Sequence, residues 1–300
     1  MQNSKIYLDH NATSKLLPEV ASTMNELSQS SLANPSSPHW AGREARNILE
    51  DSRAQLANYL GVKPREIFYT SGGSESNNTV IRQLLLIEGK KHLISSPVEH
   101  PSVLETCEIL AKQQNIEFTK LNVNSKGEIS TEELRKEIRP ETFLISVMSA
   151  NNETGNLHPI EELCKISKEK NILFHTDITQ SFCKINFDLG KIGADYATAT
   201  AHKIGGPCGI GLLYVKDKTP IYSLITGGEQ ERARRAGTEN VILAVGFSKA
   251  VEWFFSNQSK LNKNFVEFRK FIFEKISKQD EVFINTNLDN SLPHTLNFGL

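Results

Sequence analysis

Only four cysteines occur in 300 residues, at 107, 164, 183 and 208, and no two form a C-x-x-C pair. So sparse a set excludes a disulfide framework and a cysteine-rich metal module, and it points to a reducing cytoplasm. No run approaches the roughly 18 apolar residues that a membrane span needs. The opening Met1-Gln2-Asn3-Ser4-Lys5 leads into Ile6-Tyr7-Leu8 without the basic and apolar stretches of a signal peptide. Charge of either sign is not in excess: 34 Lys and Arg against 35 Asp and Glu leave a formal −1. The charges are interspersed rather than blocked, so a general attraction to nucleic acid is excluded. Internal repeats and low-complexity segments are also lacking, as are the lysine of a P-loop and the glycine spacing of a dinucleotide fingerprint. What remains is a 38% hydrophobic chain, enough for one large domain with an appendage.

The middle of the chain alternates two periodicities. Strand-like segments are Glu66–Thr70, His92–Ser95, Glu117–Leu121, Thr142–Met148, Ile172–Thr176, Tyr196–Ala199 and Gly211–Val215. Amphipathic helix patterns lie between them, such as Pro101–Gln114 and Thr131–Ile138, the second opened by a capping box at Ser130 and Glu133. This alternation predicts an α/β fold, a mostly parallel sheet covered by helices, with ligands beyond the carboxyl ends of the strands. Helices are predicted at Pro18–Gln29 and His39–Tyr59, joined by the stiff Asn34-Pro35-Ser36-Ser37-Pro38. A separate charged helix is predicted at Leu261–Ser277, then Val282–Ile284 and a final half-buried strand in which Leu296, Phe298 and Leu300 alternate with polar residues. The expected division is a large domain at 14–256, with 1–13 and 257–300 forming part of a smaller C-terminal domain that is cut short.

Lys203, in Ala201-His202-Lys203, carries the chemistry. Upstream, the apolar Ile172–Thr176 run ends in Asp177, with Gln180 one turn later. A strand-end Asp and a loop Lys can together hold pyridoxal phosphate, the Asp at the pyridinium nitrogen and the Lys as a Schiff base. Ser71-Gly72-Gly73-Ser74, between a strand and a helix, can cradle a phosphate or serve as a plain N-cap. His100 before Pro101 can stack on an aromatic ring or be structural, and Asn151-Asn152 at a strand end can orient a carboxylate or simply turn the chain. His175 and Asp177 share a strand face, but no third ligand makes a metal site of them. The Arg- and Gly-rich 227–238 segment can be an anion-binding loop or merely a basic turn, its dense Arg and Gly favouring a ligand.

In order, Tyr7–Thr13, Asn34–His39, Thr70–Asn77, Glu99-His100, Asn151–Gly155, Thr176–Ser181, Ala201–Gly211 and Gly227–Asn240 resemble the cysteine desulfurases, the NifS-like group of class V, fold-type I pyridoxal-phosphate enzymes. The resemblance implies pyridoxal 5'-phosphate as cofactor and L-cysteine as substrate. It implies that Lys203 holds the cofactor and removes the α-proton, that Asp177 pairs with the ring nitrogen, and that Gln180 contacts the phenolic oxygen. It implies further that His100 stacks over the ring and shuttles protons, and that Asn152 binds the substrate carboxylate. Gly73, Ser74, Thr200 and His202 would hold the phosphate, and Thr238 would reach the phosphate of the opposite subunit of a homodimer. The products would be L-alanine and an enzyme persulfide whose sulfur passes to an iron–sulfur scaffold or a tRNA-thiolating enzyme.

The chain departs from that pattern in one serious respect. The nucleophilic cysteine and a carboxylate-binding arginine of the family lie in a C-terminal loop that falls after Leu300. Cys107 and Cys164 read as core residues; Cys183 and Cys208 follow Gln180 and Lys203 closely and could approach the cofactor. Ser14, Ile204, Gly205 and Ala233 are smaller departures. Two other readings stand beside the desulfurase: a carbon–sulfur lyase working by β-elimination without a protein thiol, and a non-catalytic dimeric paralogue.

Overall fold

The computed structural model describes residues 5–30 and 32–299. Among the described residues nine strands form: β1 (Ile67–Thr70), β2 (His92–Ser95), β3 (Glu117–Lys120), β4 (Thr142–Ser146), β5 (Leu173–Asp177), β6 (Tyr196–Thr200), β7 (Gly211–Val215), β8 (Phe283–Ile284) and β9 (Phe298–Gly299). The helices are α1 (Pro18–Ser28), α2 (Trp40–Leu60), α3 (Gly73–Ile81), α4 (Pro101–Gln113), α5 (Thr131–Glu137), α6 (Ile160–Glu169), α7 (Leu189–Ile192), the distorted turn α8 (Gln230–Ala233) and α9 (Val241–Ile276).

The first seven strands make one sheet in the order β1-β7-β6-β5-β4-β2-β3. β2, β3, β4, β5 and β6 pair in parallel, while β7 runs antiparallel to both β6 and β1. β1 therefore points the same way as β6, and six of the seven strands deliver their carboxyl ends to one edge. Alternating side chains divide the core. Ile67 and Tyr69 pack with Leu49, Leu56, Phe247 and Val251 of α2 and α9 on one face. Phe68, Leu213 and Val215 pack with Val80 of α3, Leu84 of the 3-10 turn that follows it, and Val103 and Leu110 of α4 on the other. A third cluster joins Ile94, Ile145 and Phe174 to Leu134, Leu163 and Ile166 of α5 and α6.

The structure departs from the sequence pattern at several element ends. Helix α9 runs unbroken from Val241 to Ile276, so no separate helix begins at Leu261. Nothing between Phe247 and Ile276 is Gly or Pro, and no residue there can stop it. Its first half is buried at Ala244, Phe247 and Val251, whereas Phe268 and Phe271 farther along are exposed. The capping box of α5 is half made: Ser130 accepts from Glu133 N, but the Glu133 carboxylate turns to Asn122. β4 stops at Ser146, yet Val147 and Ser149 still donate to His175 and Asp177 carbonyls. Of the final alternating residues, Phe298 lies in β9 and Leu300 lies outside the described residues.

Glu231, Arg232 and Ala233 sit at φ of 46°, 59° and 60°. That left-handed region costs an L-residue about 1 kcal/mol or more. Ala233 is exposed, so Ala233→Gly is expected to stabilise the fold by about 1 kcal/mol in urea unfolding. No gain in the denaturation midpoint would show that the turn is unstrained.

Candidate active site

Lys203 ends a 3-10 turn that leaves β6 at Thr200 and closes at Gly205, whose φ is 72°. Its Nζ donates to the backbone carbonyls of Asn11 (2.5 Å) and Ala12 (2.7 Å). Burial lowers its pKa, with Asp177, Asp9 and Glu153 pulling the other way. An amine released more easily than that of a surface lysine is what a nucleophile or base near neutral pH needs.

Asp177 ends β5 on the neighbouring strand and is buried. Its Oδ1 accepts from Thr179 N and its Oδ2 from Asn77 Nδ2, each at 2.9 Å. Asn77 Nδ2 also reaches Ser102 Oγ (2.9 Å), which meets His100 Nδ1 (2.8 Å). His100 is the N-cap of α4, its Nδ1 accepting from Ser102 N as well. Asp177, Asn77, Ser102 and His100 thus form one hydrogen-bonded chain. Asn77 and Ser102 had no assigned part in the sequence reading; a polar pair each on the inner face of a helix's first turns was the available signal.

Gln180 is buried, donating from Nε2 to Asn11 O (3.0 Å) and accepting from Lys184 Nζ at 3.4 Å. Lys184 is itself buried, and burial followed by the charge of Lys203 brings its pKa down to about 7. His202 Nδ1 meets Thr13 Oγ1 at 3.1 Å; burial, then Lys203 and Lys184, push it down to about 4, leaving a neutral ring. Asn152 is half-buried, its Nδ2 on Glu153 and its carbonyl on Asn11 Nδ2. Asn151, by contrast, is absorbed in its own turn, accepting from Glu153 N and Thr154 N. Gly73 and Ser74 open α3, where first-turn N–H groups have no intrahelical acceptor. Thr238 is exposed, in the segment between α8 and α9; within this chain no hydrogen bond among the described residues ties it to Lys203.

The thiols resolve differently from one another. Cys107 and Cys164 are buried in the core. Cys183 also belongs to the core, 2% exposed, and burial drives its thiol well above the ordinary value. Its side chain is packed in the same core cluster as Ile178, Phe182 and Leu189. Cys208 is the exposed one. His175 is consumed structurally, between Ser146 Oγ and Thr198 Oγ1, and no cluster of metal-ligating residues occurs among the described residues.

Glu99 is buried beside this chain, one oxygen accepting from Met148 N (2.7 Å) and the other without a partner. Burial, with Asp177 adding to it, pushes its pKa up to about 8. The folded state therefore takes up a proton that the unfolded state lacks between the ordinary carboxyl value and pH 8. That contribution to stability is present at low pH and lost as pH rises through 8. Lys184 has the opposite sign, its depressed pKa favouring the folded state as pH rises past 7. The difference between variants isolates Glu99: Glu99→Gln is expected to melt higher than the wild type at pH 9, by roughly 5 °C, and alike at pH 5. Parallel melting profiles would refute this.

Thr200 Oγ1 and Asn77 Oδ1 are buried with no partner. A Cβ placed at Gly73 would meet Thr179, Thr198 and Thr200 at 3.7 to 3.8 Å, so the start of α3 lies within contact distance of Thr200. An amine, a buried carboxylate, a helix N-terminus and spare hydroxyl capacity converge at one sheet edge. The residues fit pyridoxal phosphate.

The aminotransferase class-V profile matches residues 6–300, and the chain belongs to that family. Within it, the chain is 41% identical to the cysteine desulfurase IscS of Dictyoglomus turgidum over 98% of its own length and 75% of the relative's. It is 37% identical to the IscS of Methanosarcina thermophila, over 99% and 74%. Among solved structures, a NifS-like protein superposes with a TM-score of 0.94 at 38% identity, covering 97% of this chain and 80% of that one. SspA, solved in complex with cysteine, gives 0.87 at 38%, covering 98% and 83%.

Proposed function

We propose that the chain is a cysteine desulfurase that uses pyridoxal 5'-phosphate to convert L-cysteine to L-alanine, its sulfur leaving on a thiolate. The observation that carries this reading is the convergence of Lys203 and Asp177 at adjacent strand ends, within a chain similar along its length to curated desulfurases. When bound, the cofactor supplies a carbonyl for an amine and a ring that takes up an electron pair. Lys203 would hold it covalently, Asp177 would meet its ring nitrogen, and Gln180 its phenolic oxygen. Gly73, Ser74, Thr200 and His202 would receive the phosphate, with Thr238 of a second copy in a homodimer.

The remaining roles belong to this chain's own groups. Lys203 Nζ, its pKa lowered by burial, takes the substrate's α-proton. His100 keeps Nδ1 on Ser102, which directs Nε2 outward as the exchanging nitrogen. Asn152 would orient the substrate carboxylate. The Cβ–S bond breaks as a thiolate takes the sulfur, and the substrate carbon is reprotonated to alanine. We further propose that residues 14–256 form the cofactor-binding unit and that 1–13 and 257–300 belong to a smaller one, consistent with the loss of burial along α9. An iron–sulfur scaffold or a thiolating enzyme would accept the sulfur, and the four free thiols suit a reducing cytoplasm.

The test is product analysis of the cofactor-loaded 300-residue chain with L-cysteine. With dithiothreitol supplied to take the sulfur and release it as sulfide, alanine is expected with little protein persulfide, because three of the four thiols are buried. Pyruvate and ammonia would instead establish a β-eliminating lyase. Abundant persulfide that disappears in Cys208→Ser would place the nucleophile at Cys208.

A further inference from the structure

Asn11 lies in a turn that little apolar contact holds down, since Ile6 and Leu8 nearby are 81% and 79% exposed. Polar bonds set its place instead. Ser14 N donates to His202 O (2.8 Å) and Ser14 Oγ to Lys203 O (3.1 Å). Every hydrogen-bonding atom of Asn11 beyond its own N–H is engaged. Its carbonyl accepts from Lys203 Nζ and from Gln180 Nε2. Its side-chain Nδ2 donates to Asn152 O (3.2 Å) and Thr295 Oγ1 (3.0 Å), and its Oδ1 accepts from His294 Nε2 at 3.1 Å.

The two residues on the far side come from the segment after α9, which is clamped to the Asn152 loop independently. Leu292 N donates to Gly155 O and Thr286 Oγ1 to Thr154 O, both at 2.8 Å. Gly155, at φ 74°, permits that approach: a Cβ there would come 2.6 Å from Thr295 Cβ. The His294 ring is fixed against Phe265 of α9, centroids 5.4 Å apart. Three chain segments, separated by 141 residues between Asn11 and Asn152 and by 284 between Asn11 and Thr295, meet on one amide.

We infer that Asn11 is a positioning residue: its side chain, gripped by His294 and Thr295, sets where the Lys203 amine and the Asn152 loop stand relative to each other. This rests on the cofactor reading only in what the positioning is for. The Lys203 acceptor is the Asn11 backbone carbonyl, so truncating the side chain leaves that acceptor present and frees its location. Asn11→Ala removes three bonds, and the loss should be felt at Lys203 and Asn152 rather than across the fold.

Two measurements test this. In the cofactor-free full chain at a single pH, peptide-resolved acetic anhydride labelling reads the freedom of each amine. Asn11→Ala is expected to label Lys203 about tenfold faster than the wild type, with the exposed Lys191 unchanged. In the pyridoxal-phosphate-loaded chain, the same variant is expected to raise KM for L-cysteine about tenfold with a smaller change in kcat. His294→Asn, which keeps an N–H for Asn11 Oδ1, should restore wild-type behaviour in both assays; His294→Leu should move towards Asn11→Ala. Labelling and KM within twofold of wild type in Asn11→Ala would overturn the inference. So would equal acceleration at Lys203 and Lys191, which signals general loosening. A wild type that takes up no pyridoxal phosphate would sink the cofactor reading, while the labelling would still decide the role of Asn11.

Discussion

Lys203→Ala is expected to leave a folded protein that forms no covalent adduct with pyridoxal phosphate and turns over L-cysteine at least about 10⁴-fold more slowly. Two losses combine, the nucleophile that captures the cofactor and the base that takes the α-proton. Structural damage is small, because the Lys203 amine is only part-buried and its hydrogen bonds go to the carbonyls of Asn11 and Ala12 in a solvent-facing turn. Lys203→Arg separates charge from nucleophilicity: it keeps a cation on those carbonyls but cannot donate a free amine. Both variants should lack the borohydride-trapped mass at residue 203 that the wild type gives. A trapped adduct elsewhere, with retained turnover, would remove Lys203 from its role.

The second large effect concerns stability. Arg53 and Glu231 form a buried two-pronged ion pair, at 2.7 and 2.8 Å, with side chains 3% and 2% exposed. Arg53 also donates to Ile67 O, while Glu231 accepts from Tyr69 N, and the guanidinium lies 4.8 Å from the Tyr69 ring centroid. The pair therefore bolts the left-handed turn at 231–233 to the β1 strand. Removing one partner strands the other charge in the core, which costs about 3–5 kcal/mol. Glu231→Ala is expected to show that loss in urea denaturation and to free the adjoining segment that carries Arg235 and Thr238. The double replacement Arg53→Met with Glu231→Leu should recover most of it, since no unpaired charge remains. A double variant as unstable as the single would show that the ion pair itself, rather than an orphaned charge, sets the stability.

Much of the candidate site was legible because its residues sit where strands end. A strand that finishes in Asp177 and another followed by His202-Lys203 need only a parallel sheet to bring them to one edge, and the strand–helix alternation supplies that sheet. His100 was legible at the start of a helix because Pro101 follows it, and the structure makes it the N-cap. What escaped were Asn77 beneath Asp177 and the many-handed Asn11, which depend on contacts across the chain, and two nearer partners whose side-chain direction the pattern does not give, Ser102 behind His100 and Lys184 behind Gln180. Cys183 misled in the opposite direction. Closeness in sequence to Gln180 gave no information about the side of the turn on which a thiol emerges.

The amino-acid sequence by itself determined the strand and helix segments, the residues at their ends and the family to which they belong, because periodicity and turn chemistry are local and survive without a partner. Tertiary structure decided the rest. It placed β1 beside β7, carried α9 past Asn257 without a break, and closed Asn11, Lys203, Asn152 and Thr295 into one hydrogen-bonded set. Contacts between residues some 140 to 280 positions apart leave no periodic trace in the chain. They exist only once the sheet and its covering helices have brought the segments together.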